Sequence, residues 1–327
     1  MRTFNVLITG ATGSFGKKIL RALLADSRVA SIVAFSRDEL KQFVLQNALG
    51  NSEKITWVLG DIRDSDSLTR AARGMSVIIH AAALKQVVAC ERNPLEAVKT
   101  NVLGASNVIE AALQNKVEKV ISLSTDKAVS PVNLYGATKL CAEKLITAAD
   151  IGVNHSHTRF ATVRWGNVLG SRGSVVPYLL KMKSEGYLPI TDIRMTRFWI
   201  TLEQAVAFVL CAIDIMQGGE VFVPKVSSMK IVDMARALAP EAELRVIGIR
   251  PGEKIHEVLI TKDEARHCLE FDEGFIIYSE LTPRFEYPAL NVRPVKEDWE
   301  YNSGANDRWL SNQDLLDLVA KTSIEPF

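Results

Sequence analysis

Six short apolar runs, each separated from the next by a longer stretch of helical period, constrain this chain more than any other feature. They are Asn5-Val-Leu-Ile-Thr9, Ser31-Ile-Val-Ala-Phe35, Ile55-Thr-Trp-Val-Leu59, Ser76-Val-Ile-Ile-His80, Lys119-Val-Ile-Ser-Leu123 and Ala161-Thr-Val-Arg-Trp165. Such β-branched runs suit strands covered by helices on both faces, so the spacing predicts an α/β fold with a doubly wound parallel sheet. On a sheet of this kind ligands bind at the carboxyl ends of the strands. Two of the runs lead straight into polar clusters, His80-Ala-Ala-Ala-Leu-Lys85 and Ser122-Leu-Ser-Thr-Asp-Lys127.

The alternation covers residues 1–166, read as a Rossmann dinucleotide-binding domain. It breaks after Asn167, where Gly170, Gly173, Pro177, Gly186 and Pro189 punctuate the chain. Residues 167–201 and 225–327 are expected to form a smaller, discontinuous α/β substrate-binding lobe. A helix from Leu202 and a strand near Glu220-Val-Phe-Val223 are expected to return to the first domain. With 327 residues, 47% apolar content and a formal charge of +1, the chain can bury a full core, and its overall charge points to neither nucleic acid nor membrane. Cys90, Cys141, Cys211 and Cys268 lack metal-ligand spacing and read as buried small apolar residues in a reducing compartment. The opening MRTFNVLITG runs directly into a strand, and no apolar run reaches membrane-span length, so a cytoplasmic protein is expected.

Gly10-Ala-Thr-Gly13-Ser-Phe-Gly16 follows the first predicted strand and opens an amphipathic segment, the setting in which glycines let backbone approach a pyrophosphate at a helix amino end. Gly10, Thr12, Gly13, Ser14, Phe15 and Gly16 are therefore cofactor candidates. The second strand ends Phe35-Ser36-Arg37, with Lys41 one turn on; a hydroxyl and two cations favour NADP over NAD, although Asp38 and Glu39 partly neutralise the patch. Asp61 and Ile62 after the third strand can meet the adenine, or Asp61 can serve as a helix cap. Ala81 and Ala82 are small enough for a ribose or nicotinamide to lie against.

Tyr135 and Lys139, four apart, share a helix face if Tyr135 starts a helix, and a neighbouring ammonium would help a phenolate take a proton from a sugar hydroxyl. Asp126 and Lys127 add an acid and a base with a second task. His80 lacks a partner acid and reads as a hydrogen-bonded core histidine; His155 and His157 read as solvated. No cluster has metal-ligand spacing.

Taken together, TGATGSFGKKIL, SRDELKQ, GDIRD, HAAALK, STDKAVSPVNLYGATKL, GNVLGSRGSVVP, ITDIRMTRFWITL and IRPGEKIHEV resemble the configuration-inverting UDP-N-acetylglucosamine 4,6-dehydratases of the pseudaminic acid, flagellin-modifying type, within the extended short-chain dehydrogenases/reductases. The resemblance runs over essentially the whole chain. It implies tightly held NADP recycled in each turnover, UDP-N-acetylglucosamine as substrate and a homo-oligomer, a hexamer. Under it Tyr135 is the base at C4 with Lys139 its electrostatic partner, Thr125 bonds the C4 oxygen, Asp126 is the acid at C6 and Lys127 the base at C5.

In related retaining dehydratases a glutamate follows the aspartate, so Lys127 points to inversion at C5. A lysine base must be partly neutral near pH 7, and Lys139 with the oxidised nicotinamide are the expected cause. Leu123, Ser124 and Asn167 are candidates for contact with the substrate, Val168 for the nicotinamide, and Lys85 for either cofactor or sugar. Arg172, Arg197 and Arg250 are candidates for the diphosphate, with Glu253 taking a ribose hydroxyl or orienting Arg250. A nucleotide-sugar 4-epimerase, which needs no Asp126-Lys127 pair, is the alternative reading; a non-catalytic NADP-binding sensor is more remote.

Overall fold

All six apolar runs lie in strands of one sheet. The computed structural model describes residues 3–50, 52–152, 157–182, 185–279 and 286–322. In chain order the first half forms β1 (Phe4–Thr9), α1 (Ser14–Ala25), β2 (Val29–Ser36), α2 (Glu39–Leu49), β3 (Ile55–Leu59), α3 (Ser65–Ala71), β4 (Val77–His80), α4 (Val87–Arg92), α5 (Pro94–Val98), α6 (Gly104–Gln114), β5 (Lys119–Thr125), α7 (Leu134–Gly152) and β6 (Arg159–Trp165). The strands run parallel in the order β3-β2-β1-β4-β5-β6. The order reverses between β1 and β4, where a doubly wound sheet opens a crevice at its carboxyl edge.

Successive residues feed opposite faces of the sheet, which is why the runs are apolar throughout. Val6 and Ile8 of β1 pack with Ile19, Leu20 and Leu23 of α1 and with Val206 and Val209 of the helix Leu202–Ile215. Leu7 turns the other way, into a layer with Leu68, Val108, Ala111, Val120 and Ile146. A separate core of Leu179, Leu188, Met195, Trp199, Met234 and Leu315 sits under the smaller lobe.

The strand Val221–Pro224 runs parallel to β6. Beyond it, Gly274–Ile277, Cys268–Glu270 and Arg293–Pro294 add antiparallel strands to the same sheet. The sequence places all of 225–327 in the smaller lobe; the sheet claims these three segments because Val221–Pro224 leaves an open edge and Phe275 and Ile277 supply apolar side chains to cover the core beside it. The smaller lobe keeps the sheet formed by Asn167–Val168, Thr196–Ile200 and Ser227–Lys230, and the paired strands Tyr187–Ile190 and Glu243–Val246.

His80 is buried and hydrogen-bonded to Thr9 Oγ1 through Nδ1 at 2.8 Å, as a core histidine should be. His157 is exposed, whereas His155 lies outside the described residues. Cys90 and Cys268 are buried, but Cys141 is exposed, because it shares the outer face of α7 with Lys144 and Leu145 while Ala142, Glu143 and Ile146 face inward. Cys211 is half-buried. Among the described residues no helix is long and apolar enough to cross a membrane, and no cluster of His, Cys, Asp or Glu could hold a metal ion.

Candidate active site

A cavity of about 600 Å³ opens over the carboxyl ends of β1 to β4, lined by Gly10, Thr12 and Gly13 at one end and Ser36, Arg37 and Lys41 at the other. Gly10 has φ +71°, and a Cβ there would stand 2.8 Å from the Ala82 backbone nitrogen, so the turn can pass the end of β4 only with glycine. Gly13 caps α1 without a side-chain bond, leaving the first-turn N–H groups open to an anion. Ser14 and Phe15 begin α1, with Phe15 packed on Trp165. These residues fit a dinucleotide: an anion-receptive helix end, a glycine cradle and a cationic far rim.

At that rim, buried Gln42 donates to Ser36 Oγ at 3.0 Å and so fixes the serine. Arg37 lies 3.6 Å from Asp61, and Lys41 is paired with Asp38. Ile62, Ala81 and Ala82 complete the wall. Arg172, expected at the substrate diphosphate, lines this same cavity instead: its backbone N–H donates to Ser14 Oγ at 3.3 Å, which draws it to the start of α1 and towards Asp38. Lys85 is exposed beyond β4.

The second cluster forms where β5 ends. Thr125 caps a single 3₁₀ turn, Asp126–Ala128, that turns the fully buried Asp126 inward and brings Lys127 Nζ back to within 2.9 Å of Asp126 Oδ1. Thr125 Oγ1 donates to the same Oδ1 at 3.0 Å and favours the ionised form of the neighbouring Tyr135 hydroxyl. Tyr135 and Lys139, both buried, project from the first turns of α7. Gly136 makes this approach possible, since a Cβ there would lie 2.0 Å from the Lys127 carbonyl oxygen. Asn133 Oδ1 accepts from Gly136 N–H at 2.8 Å, and its Nδ2 donates to Gly252 O at 2.8 Å, tying the start of α7 to the smaller lobe.

Glu257 is the residue that sequence reasoning misses. It is buried, 3.5 Å from Lys127, 3.7 Å from Arg197 and 3.8 Å from Lys254. Its carboxylate lies below the usual range, because Lys127, Arg197 and Lys254 together outweigh the upward push of burial. Burial alone would lower Lys127, but Asp126 and Glu257 raise it above the ordinary lysine value. The expectation of a partly neutral Lys127 is thereby corrected for the chain itself: two carboxylates, not two cations, face the ammonium.

Asp126 moves the other way, raised by burial against the pull of Lys127. Burial pushes Tyr135 up to about 12, with Lys127 and Thr125 opposing, and pushes Lys139 down to about 8. The cation acting on the phenol is thus Lys127, where the sequence pointed to Lys139.

Four buried side-chain atoms around this strand end have no hydrogen-bond partner: Ser124 Oγ, Asp126 Oδ2, Asn167 Oδ1 and Glu257 Oε2. Such atoms are expensive to bury unless a ligand meets them. Leu123 and Val168 are partly buried against the main core beside them. Arg197 is not left open for a diphosphate; it donates to Thr196 O at 2.7 Å and Ile255 O at 3.1 Å, and its remaining edge faces Glu257. Arg250 stands exposed in solvent, held by Glu253. Glu257 lies too far along the chain from Lys127 for spacing to reveal the pair; only its place three residues after Lys254 in a charged stretch hints at a role.

Residues 6–279 match the family described as polysaccharide biosynthesis protein. A Campylobacter jejuni protein named UDP-N-acetylglucosamine 4,6-dehydratase (inverting) is 47% identical over 97% of this chain and 98% of its own. A Rickettsia felis protein named UDP-glucose 4-epimerase is 44% identical over 79% of this chain and 78% of its own. Among solved structures, Pen from Bacillus thuringiensis superposes with a TM-score of 0.90 at 38% identity, covering 99% of both chains. The dTDP-glucose 4,6-dehydratase DesIV from Streptomyces venezuelae, with NAD bound, gives 0.70 at 21% identity over 77% of this chain and 86% of its own, a likeness of fold. The chain therefore belongs to the polysaccharide biosynthesis protein family, among the extended short-chain dehydrogenases/reductases and alongside the inverting dehydratase that it matches from end to end.

Proposed function

We propose that the chain catalyses redox-neutral 4,6-dehydration of UDP-N-acetylglucosamine with inversion at C5, giving a UDP-2-acetamido-2,6-dideoxy-4-keto-hexose of L-arabino configuration. One observation carries the reading: a buried carboxyl and an ammonium in contact, Asp126 and Lys127, beside the tyrosine of a Tyr-x-x-x-Lys pair, on whose phenol the ammonium acts. The 47% identity over nearly the whole length of an enzyme with that name supports it.

Gly10, Thr12, Gly13, Ser14 and Gly16 would hold the pyrophosphate, Ser36, Arg37, Lys41 and Arg172 a 2′-phosphate, Asp61 and Ile62 the adenine, and Ala81, Ala82, Val168 and Lys139 the nicotinamide ribose end. Bound NADP supplies the reversible two-electron oxidation, first at C4 and then in reverse at C6. Tyr135, as phenolate, takes the C4 hydroxyl proton, and the Lys127 ammonium is the cation that favours that phenolate. The resulting ketone acidifies the C5 hydrogen. Asp126 protonates the departing C6 oxygen, Lys127 removes the C5 proton and returns one to the opposite face. Glu257 steadies the ammonium that forms. A single proton shift over 2.9 Å, from Lys127 to Asp126, turns the resting ion pair into the carboxylic acid and free amine that elimination needs; the raised Asp126 favours that shift and the raised Lys127 opposes it. Ser124 and Asn167 would bond the sugar, and Arg250 with Glu253 the nucleotide end.

The product class suits a deoxy-aminosugar pathway for surface glycans, of which pseudaminic acid on flagellin is one, in the cytoplasm. Exposed Val88, Leu95, Leu103 and Leu145 offer an apolar face for a second copy within a hexamer.

The test is incubation of purified protein with UDP-N-acetylglucosamine without added cofactor, followed by mass analysis of the sugar nucleotide. Loss of one water, with one deuterium at C5 in deuterated water, is expected. An isomer of unchanged mass sinks the reading in favour of the 4-epimerase that the rickettsial relatives are named for. Cofactor released by denaturing the protein should be NADP, and Arg37→Glu should weaken NADP more than NAD.

A further inference from the structure

We infer that Lys254 is a positioning residue for the elimination step: reaching in from the smaller lobe, it holds the turn that carries Lys127 and supplies Glu257 with the counter-charge that lets Lys127 act as a base. The inference rests on the dehydration reading above and adds to it a residue that acts through Lys127 and Glu257. In that step the C5–H bond breaks, its proton passes to the Lys127 amine and its electrons form the C5–C6 double bond. The C6 oxygen takes the Asp126 proton and leaves as water with the C6–O electrons. Everything therefore depends on Lys127 standing in place and without its proton.

Lys254 sees to the first condition by geometry. It follows the turn at Gly252, which has φ +79° and whose carbonyl accepts from Asn133 Nδ2 at 2.8 Å. Its side chain is only 15% exposed, and its Nζ donates to Val129 O. Val129 directly follows the 3₁₀ turn Asp126–Ala128 and donates its own N–H back to Asp126 O at 3.3 Å. At the start of the turn Thr125 Oγ1 accepts from the Lys127 N–H at 3.4 Å. The turn is thus capped at its entry from within the first domain and gripped at its exit by an ammonium from the other lobe.

The second condition is met by charge. The Lys254 ammonium lies 3.8 Å from Glu257 Oε2, while Glu257 Oε1 faces Lys127 at 3.5 Å and Arg197 at 3.7 Å. Oε2 has no hydrogen-bond partner, so Lys254 is the cation that this oxygen faces. Arg197, the other cation beside Glu257, uses donors on Thr196 O and Ile255 O. The groups around Lys127 are then Asp126 on its own turn, Lys254 and Glu257 before the strand Val258–Ile260, Arg197 on the strand Thr196–Ile200 and Tyr135 on α7. A buried carboxylate must keep a counter-charge. With Lys127 neutral and ready for the C5 proton, Lys254 and Arg197 remain to balance Glu257. Without Lys254 more of that balance falls on Lys127, which then holds its proton more firmly.

Lys254→Met keeps the apolar stem and removes the charge, Lys254→Arg keeps the charge, and Lys254→Gln serves where the methionine variant does not fold. Each holoenzyme is mixed with UDP-N-acetylglucosamine and followed over one turnover by the near-ultraviolet absorbance of the reduced nicotinamide, which rises with oxidation at C4 and falls with reduction at C6. Quenched samples are weighed by mass analysis, kcat is measured against pH, and stability is read in denaturant. Wild type and Lys254→Arg should keep the reduced form low. In Lys254→Met it should build up, because oxidation at C4 uses Tyr135 while elimination waits for Lys127. The limb of kcat that rises as Lys127 deprotonates should move to higher pH by about one unit. Elimination near neutral pH should slow about tenfold, the factor by which the neutral amine falls. An unmoved limb, or oxidation and elimination slowed by one common factor, would make Lys254 a strut alone and overturn the inference. A wild-type product with the substrate's mass would instead overturn the dehydration reading.

Discussion

Arg164 and Lys127 are both charged groups taken out of bulk solvent near the join of the two lobes, and the structure treats them in opposite ways. Arg164, on β6, uses all five of its N–H donors: on Glu143 through Nε and one terminal nitrogen, on Glu264 twice, and on Leu259 O at 2.7 Å. Nothing in that cluster is left to bind anything else. Around Lys127 the contacts are longer, at 3.5 to 3.8 Å between Glu257 and its cations Lys127, Arg197 and Lys254, and Asp126 Oδ2 and Glu257 Oε2 have no hydrogen-bond partner. A saturated cluster holds the fold together. An unsaturated one keeps lone pairs and protons available for chemistry, and the cluster at the end of β5 is of that kind.

The largest effect should come from Lys127→Ala, which is expected to lower dehydration by about 10³-fold or more and to abolish C5 deuterium exchange, with folding and cofactor retention intact. Retained exchange would mean that another group is the base. Arg164→Met should do the reverse: stranding Glu143 and Glu264 costs about 3–5 kcal/mol of stability, read in denaturant, while the rate per folded molecule stays near wild type. A rate lost without stability would break the comparison.

Glu257→Gln should slow kcat about tenfold. It removes one of the two carboxylates that raise Lys127, so the limb of kcat that rises as Lys127 deprotonates should move to lower pH. A slower enzyme with an unmoved profile would make Glu257 a packing residue. The smallest effect belongs to His80, a third kind of burial, neutral and pushed by desolvation from 6.5 to about 3. The unfolded chain binds its proton first, so His80 should erode stability as pH falls from about 6.5 towards 3. A His80→Gln variant should show a flatter acid limb in thermal denaturation.

The sheet was legible because each strand from β1 to β6 is a local apolar run. Cys268–Glu270 and Gly274–Ile277, expected in the smaller lobe, join the sheet for a reason that is not local: their membership is decided by the distant edge at Val221–Pro224. Within the site, Asp126, Lys127, Tyr135 and Lys139 could be read because one strand end and one helix start bring them together. Glu257 comes from the other lobe, and no spacing announces it. Arg172 and Arg197 are visible as cations but not as to their surroundings, since Ser14, which holds the Arg172 backbone, and Glu257, which faces the Arg197 guanidinium, are far away in sequence.

Asn133 sets a dimension of the molecule. By accepting from Gly136 at the first turn of α7 and donating to Gly252 near Arg250, it spans the gap between the helix that carries Tyr135 and the loop that carries Arg250. Lys254, which donates to Val129 O, adds a second strut a few residues on. The separation of that loop from the start of α7 is therefore a gauge length set by two struts. On the proposed reading, with Arg250 at the nucleotide end, a substrate would be measured against that length as a whole: one a sugar unit too long or a phosphate too short would place the wrong carbon under the tyrosine.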